Sequence, residues 1–242
     1  MKQKSVYRVS CASFSYFNSS FRLNFAILAH FLKRSQNSPR LMGRSCLPGP
    51  TKPRITKAVT TITPGTAPST QNGEFFLWPG MSNGTGDLVQ TTLESWPDNS
   101  WCGATTGQWC IRCSLFGSFG QLDGTASPVS GSTAVEIIYE LQSDGETWLQ
   151  TATNTTTGAQ LSTFSYKGGP YMTGYGKGTE CDDDCTGTIA AQTYTNTVIT
   201  LAAADSTFGD TIVASGGATY SGFTTSDDKV WTIASIQVPA MT

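Results

Sequence analysis

The chain has 242 residues, 38% hydrophobic, 11% aromatic and only 13% charged, with a formal net charge of −2. So few charges among so many Thr, Ser, Gly and aromatic residues exclude a long-helix protein and an acidic disordered chain. The longest apolar stretch, Phe21 to Leu32, is interrupted by Arg22, Asn24 and His30. A membrane-spanning helix needs about 20 apolar residues, so no membrane partner is expected.

Charge is sharply divided along the chain. Residues 1–58 hold eleven Lys or Arg and no acidic residue, a charge of +11. Residues 59–242 hold all 17 acidic residues against Arg112, Lys167, Lys177 and Lys229, a charge of −13. That second part repels phosphate backbones, so no nucleic-acid partner is expected. Its acidity suits work outside the cell at low pH, where protonated carboxyls repel one another less. The only histidine, His30, lies in the basic part. Ser-His-Asp and Cys-His catalysis and His-ligated zinc are therefore excluded from the acidic part.

Residues 1–58 show no sustained period and read as an unstructured leader. An atypical late secretion signal, an organellar transit peptide and a translated upstream segment all fit its composition. Residues 59–73, rich in Thr and Pro, read as a linker. From Glu74 to the C-terminus, β-patterned runs alternate with turn signals. Strands are predicted at Glu74–Trp78, Asp87–Ser95, Gln108–Leu115, Thr133–Gln142, Thr147–Asn154, Gln160–Tyr166, Ala191–Leu201, Thr211–Ala214 and Lys229–Val238. Asn83-Gly84, Asp123-Gly124, Asp144-Gly145, Thr157-Gly158 and Gly168-Gly169 mark turns between them. Short strands in this number predict an all-β protein, a two-sheet antiparallel β-sandwich.

Cys102 and Cys110 bracket one short loop, and Cys181 and Cys185 bracket Asp182-Asp183-Asp184. Zinc would require a second Cys or His pair beside either, so two local disulfides are expected, with Cys113 a buried thiol. Three successive aspartates point in different directions, which favours a solvated loop over a calcium site. No metal or cofactor is expected. Asn83 and Asn154 open N-glycosylation sequons at turns, and together with the disulfides they indicate an extracellular protein.

A strand at Leu88–Glu94 turns Val89, Thr91 and Leu93 one way and Gln90, Thr92 and Glu94 the other. The second set offers an amide, a hydroxyl and a carboxylate in a row. On the strand around Glu136 and Glu140, the two glutamates share a face about 13 Å apart. That spacing occurs in sandwich glycosidases, whose central Asp is here Ile138. An amphipathic strand with two solvated glutamates explains the same pattern. Trp96 and Trp101 flank a turn and could stack on sugar rings, whereas Trp231 reads as core.

Trp78-Pro-Gly followed by Asp87-Leu-Val-Gln90-Thr resembles the Trp-x-Gly … Ile-Leu-Gln-Thr-Gly segment of the eqolisins, the fungal glutamic peptidases. Val129-Ser-Gly-Ser-Thr-Ala-Val135 and Asn154-Thr-Thr-Thr-Gly158-Ala-Gln160 continue that resemblance in order. It implies a concanavalin A-like (jelly-roll) sandwich of fungal, secreted type, and acid endopeptidase chemistry by a Gln and a Glu on one concave sheet. There the Glu is the base for water and the Gln stabilises the oxyanion. By resemblance Gln90 takes the Gln position. Ala191-Gln192-Thr193-Tyr194, following the second Cys loop, puts Gln192 at the Glu position, where an amide cannot act as base. Glu94, Glu136 and Glu140 are then the candidate carboxylates, and Trp78, Thr92, Trp96, Trp101 and Trp109 the candidate substrate contacts. The alternatives are an eqolisin-type peptidase, a non-catalytic lectin-like binder of glycan or cell wall, and a glycoside hydrolase. The expected partner is an extracellular polypeptide or polysaccharide, and the expected state a monomer.

Overall fold

A computed structural model describes residues 41–167 and 171–242. The leader readings, His30 and the Gly168-Gly169 turn lie outside the described residues. The strands are β1 (Leu41–Leu47), β2 (Ile55–Thr63), β3 (Asn72–Ser82), β4 (Leu88–Ser95), β5 (Gln108–Gly117), β6 (Gly120–Asp123), β7 (Ser127–Ser130) and β8 (Val135–Leu141). They continue with β9 (Trp148–Asn154), β10 (Gln160–Tyr166), β11 (Gly174–Thr186), β12 (Gln192–Leu201), β13 (Val213–Ser215), β14 (Thr219–Ser221), β15 (Thr224–Thr225) and β16 (Val230–Val238). One eight-stranded sheet runs β13-β1-β11-β3-β4-β5-β6, with β7 also on β5. The other runs β10-β9-β8-β2-β12-β16-β14, with β15 on β16. The pairings between these strands are antiparallel, and the two sheets form the sandwich that the strand pattern predicts.

The folded part starts earlier than the composition indicates. β1 lies within the segment read as a leader, and β2 runs through the boundary and into the predicted linker. β2 turns Ala58, Thr60 and Ile62 inward, and Lys57, Val59 and Thr61 are partly exposed. Its inward set includes a hydroxyl and its outward set a valine, so the polar-apolar alternation is blurred. β11, unforeseen, pairs with β3 over ten register positions and forms the middle of its sheet.

Between the sheets, Leu77, Met81, Val89, Leu93, Trp109 and Ile111 meet Val135, Ile137, Tyr139, Tyr194, Ile199 and Ile233 in one apolar core. Each such side chain contributes about 1.5–3 kcal/mol by leaving water. Polar ties cross this core as well. The Tyr139 hydroxyl donates to the Pro79 carbonyl at 2.7 Å, and the Gln150 amide to the Ser114 carbonyl at 2.9 Å. The third tie is Lys177, fully buried, whose Nζ lies 3.0 Å from Thr60 Oγ1 and 2.6 Å from Thr197 Oγ1. The amine sits 4.4 Å above the Tyr194 ring, and burial pushes its pKa well below the usual lysine value.

Substituting Lys177→Met retains the stem, and Thr60 and Thr197 stay paired to each other at 2.8 Å. Folded Lys177 binds a proton less readily than unfolded Lys177, so its presence weakens folding below the unfolded pKa of about 10.4. The expected outcome is that K177M matches or exceeds the parent in urea unfolding at pH 8. Its advantage should shrink by about 1.4 kcal/mol per pH unit as pH rises toward 10. A constant difference across that range would show that the buried amine is not the cause.

Candidate functional site

The outer face of the first sheet, turned away from the second, holds the amide-hydroxyl-carboxylate row of β4. Val89, Thr91 and Leu93 are fully buried, with Val89 and Leu93 in the core, as period two requires. Gln90, Thr92 and Glu94 are buried too, on the opposite face. Leu47, Phe76, Trp78 and Leu88 form a second apolar cluster, with Phe116 packed against it.

Strand register shows what stands beside Gln90. Gly80 of β3 is opposite it on one side and Ser114 of β5 on the other, and Gly176 of β11 is opposite Gly80. The nearest carboxylate in this row is Asp123 of β6, opposite Ser114 and two strands from Gln90, so none stands directly beside Gln90. A Cβ on Gly176 would collide with a methyl of Leu47, and one on Gly178 would lie 2.7 Å from the Trp78 ring. Leu47 and Trp78 therefore occupy the space that side chains at Gly176 and Gly178 would need. The Gln90 Nε2 is buried and has no acceptor among the described residues.

Glu94 lies four residues along β4, about 13 Å from Gln90. It is fully buried, and it accepts from Thr92 Oγ1 at 2.6 Å, Arg112 Nε at 2.7 Å and Arg112 Nη2 at 2.9 Å. The remaining Arg112 nitrogen, Nη1, is 2.9 Å from Asp123. Charge-assisted, two-pronged pairing of this kind is strong, and it commits both groups to each other. Arg112 also lies under the Trp101 ring, 5.2 Å from its centroid. Around this pair opens a cleft of about 300 Å³ lined by Glu74, Phe76, Trp96, Phe116 and Asp182 among others. Burial raises the Glu74 pKa, and the charges of Glu94, Asp182 and Asp183 raise it further.

Trp96 also lines a second cavity, of about 370 Å³, shared with Pro68, Ser69, Asp98, Asn99 and Thr106. The loop that shapes it is tightly held. Asn99 accepts from the Trp96 N–H at 2.8 Å and donates to the Gln108 carbonyl at 3.1 Å. A disulfide joins Cys102 to Cys110 of β5, and another joins Cys181 to Cys185. Gly103 sits at φ 82° and Gly107 at φ 83°, a region that suits glycine. Trp101, 5.2 Å from Trp96, remains 40% exposed. Cys113 is a buried thiol, as is Cys46, and burial pushes each up to about 11.

The other sequence candidates are not brought to Gln90. Gln192 is on β12 in the second sheet, buried, and accepts from the Tyr194 hydroxyl at 2.6 Å. Glu136 and Glu140 are on β8 of the second sheet, where Glu140 pairs with Lys57 at 2.7 Å. Trp109 is a core residue, not a surface contact, and its indole N–H donates to the Gly65 carbonyl at 2.8 Å. Asn83 and Asn154 both sit at turns, bonded to Asp87 and to the Thr156 and Thr157 amides. Unforeseen were Leu47, Gly176, Ser114 and the Arg112 clamp. The alternating glycines at 174, 176 and 178 were the signal for β11.

The chain matches no protein-family model and no curated protein. Among solved structures it is similar to scytalido-glutamic peptidase with a transition-state analogue inhibitor, at TM-score 0.56 and 14% identity. The same peptidase with a peptide-based transition-state analogue gives 0.54 and 14%. SCP-B, a member of the eqolisin family with a bound Ala-Ile-His tripeptide, gives 0.50 and 14%. Each comparison covers 85% of this chain and 100% of the other. The fold is therefore a divergent eqolisin-like β-sandwich, in accord with the sequence motifs.

Removing Arg112 would leave Glu94 buried without its cation. Arg112→Ala is expected to lower stability by about 3–5 kcal/mol in urea titration. Replacing both partners, as Glu94→Leu with Arg112→Met, should recover most of that loss. If the double variant is no better than R112A, the pair is not the unit that stabilises this face.

Proposed function

We propose that this protein is a non-hydrolytic relative of the glutamic peptidases, an extracellular binding protein that keeps the sandwich and has lost the catalytic row. The observation that carries this reading is the row through Gln90, where Gly176, Gly80 and Ser114 stand beside it and the one carboxylate, Asp123, is two strands away and paired with Arg112. Water attack on an amide needs a base within hydrogen-bond reach of the water that the Gln amide helps to orient. A serine hydroxyl without a base of its own cannot take that proton. Glu94, the carboxylate nearest along β4, is about 13 Å away and held by Arg112. Leu47 fills the space over Gly176. Fold likeness at 14% identity carries architecture, and the chemistry has to be judged from the site.

Two disulfides support action outside the reducing cytosol, and no described helix is long and apolar enough to cross a membrane. The chemistry that remains on this face is recognition. Clefts of about 300 and 370 Å³ lie against indoles, hydroxyls and carboxylates, within the size range of ligand sites.

The test is incubation of the full chain with an unfolded protein substrate at about pH 2–5, followed by mass spectrometry of the products. No cleavage above buffer is expected, from the parent or from Gln90→Ala. Cleavage by the parent that disappears in Q90A would overturn the reading and restore the peptidase. The variant Gly176→Glu with Leu47→Ala supplies a carboxylate and the space for it. Any acid proteolysis is expected to arise there first.

A further inference from the structure

We propose that the groove across Trp96, between the two cavities, is a binding site for an uncharged polysaccharide built of hexopyranose rings, with Trp101 as its stacking platform. This deepens the binding reading above by naming the ligand. Three features of the groove carry it.

The first is an indole held rigid while still exposed. Trp101 lies in a short helical turn whose last residue, Cys102, is bonded to β5, and its ring is braced by Arg112 and Trp96. A pre-positioned aromatic face loses little freedom on binding, and the C–H-rich face of a sugar ring matches it. Among the described residues it is the only tryptophan that remains exposed to this degree.

The second is an orphan donor. Trp96 lines both cavities, and its Nε1–H is shielded from water with no acceptor among the described residues. Buried polar groups are nearly always paired, so such a donor calls for an acceptor supplied from outside. A small turn of the Trp96 ring toward either cavity would bring this N–H within reach of a sugar hydroxyl or ring oxygen. The exposed hydroxyls of Ser69 and Thr106 and the Asp98 carboxylate stand on the wall of the same cavity.

The third is the charge and the backbone around the groove. Arg112, the cation at its floor, is already paired with Glu94 and Asp123, and Glu74 and Asp182 line the same cleft, so its charge is outweighed there. The Ser100 backbone N–H and hydroxyl lower the Asp98 pKa, which keeps a negative charge at the rim. An anionic polymer is therefore repelled. Both strands under Trp96, β3 and β4, are paired on both sides, so an extended peptide finds no free ladder to join there. Recognition through side chains and ring stacking suits a sugar.

The experiment is calorimetric titration of the full chain with soluble hexasaccharides of β-1,4-linked and β-1,3-linked glucose, followed in parallel by tryptophan fluorescence. A hexa-uronate and a reduced, unfolded polypeptide serve as competing ligands. Expected are saturable binding of a neutral hexasaccharide with a change in indole emission, and binding at least about tenfold weaker for the uronate. Trp101→Ala should lose about tenfold in affinity, and Trp96→Phe, which keeps a ring and removes the N–H, should lose several-fold. Near-UV circular dichroism reports whether the variants stay folded, and Glu140→Gln, on the far sheet, is expected to bind like the parent. Failure of both neutral oligomers to bind at millimolar concentration overturns the proposal, as does undiminished binding by W101A or binding of the polypeptide alone. None of these readouts depends on proteolysis, so loss of this proposal leaves the non-hydrolytic reading standing, and the reverse holds too.

Discussion

On its outer face β11 presents Gly174, Gly176 and Gly178 in succession, and most of what distinguishes this sandwich follows from that bare strip. Side chains from neighbouring strands settle into the space: Leu47 of β1 over Gly176, and the Trp78 ring over Gly178. With them Phe76 and Leu88 close into an apolar cluster that an open catalytic face would not tolerate. Gln90 is left beside backbone and a serine. A carboxylate side chain at Gly176 and the apolar cover of Leu47 thus exclude each other, because each needs the other's space.

Polar groups on the two faces of the first sheet are handled by different physics. On the inner face, Lys177 is tied to two hydroxyls and lies over two aromatic rings, and its desolvation favours a neutral amine. On the outer face, Arg112 meets Glu94 through two hydrogen bonds. The guanidinium cannot shed its proton, so pairing is its only remedy, whereas the lysine can. The clamp also fixes the loop above it. Arg112 supports Trp101, Trp101 meets Trp96, and Trp96 divides the two cavities.

Much of this architecture can be read from period-two alternation. Val89-Thr91-Leu93, Val135-Ile137-Tyr139 and Trp231-Ile233 each mark a face that packs inward. β11 escaped because its outward positions are glycines and its inward ones are Tyr175, Lys177 and Thr179, a pattern that looks like a loop to any hydropathy rule. With the second Cys loop taken to precede the glutamate strand, the position fell on Gln192, which lies on β12 of the second sheet, whereas the loop lies at the far end of β11 in the first. Trp109 and Trp101 show a different limit. Aromatic content alone does not tell a ring buried in the core from one presented to a ligand, and only the burial of one and exposure of the other separates them.

The strand that carries Leu47 comes early in the chain, yet its partners come late. Arg44 bonds to Thr179, 135 residues on, and Ser45 to Ser215, 170 residues on. Contacts of such high sequence separation form slowly, because a long loop must close before any of them can hold. During synthesis β1 therefore waits until β11 and β13 have left the ribosome, and the glycine strip has no cover until then. The apolar cluster that Leu47 joins is in this sense a late seal, closed only once the strand it covers has been made.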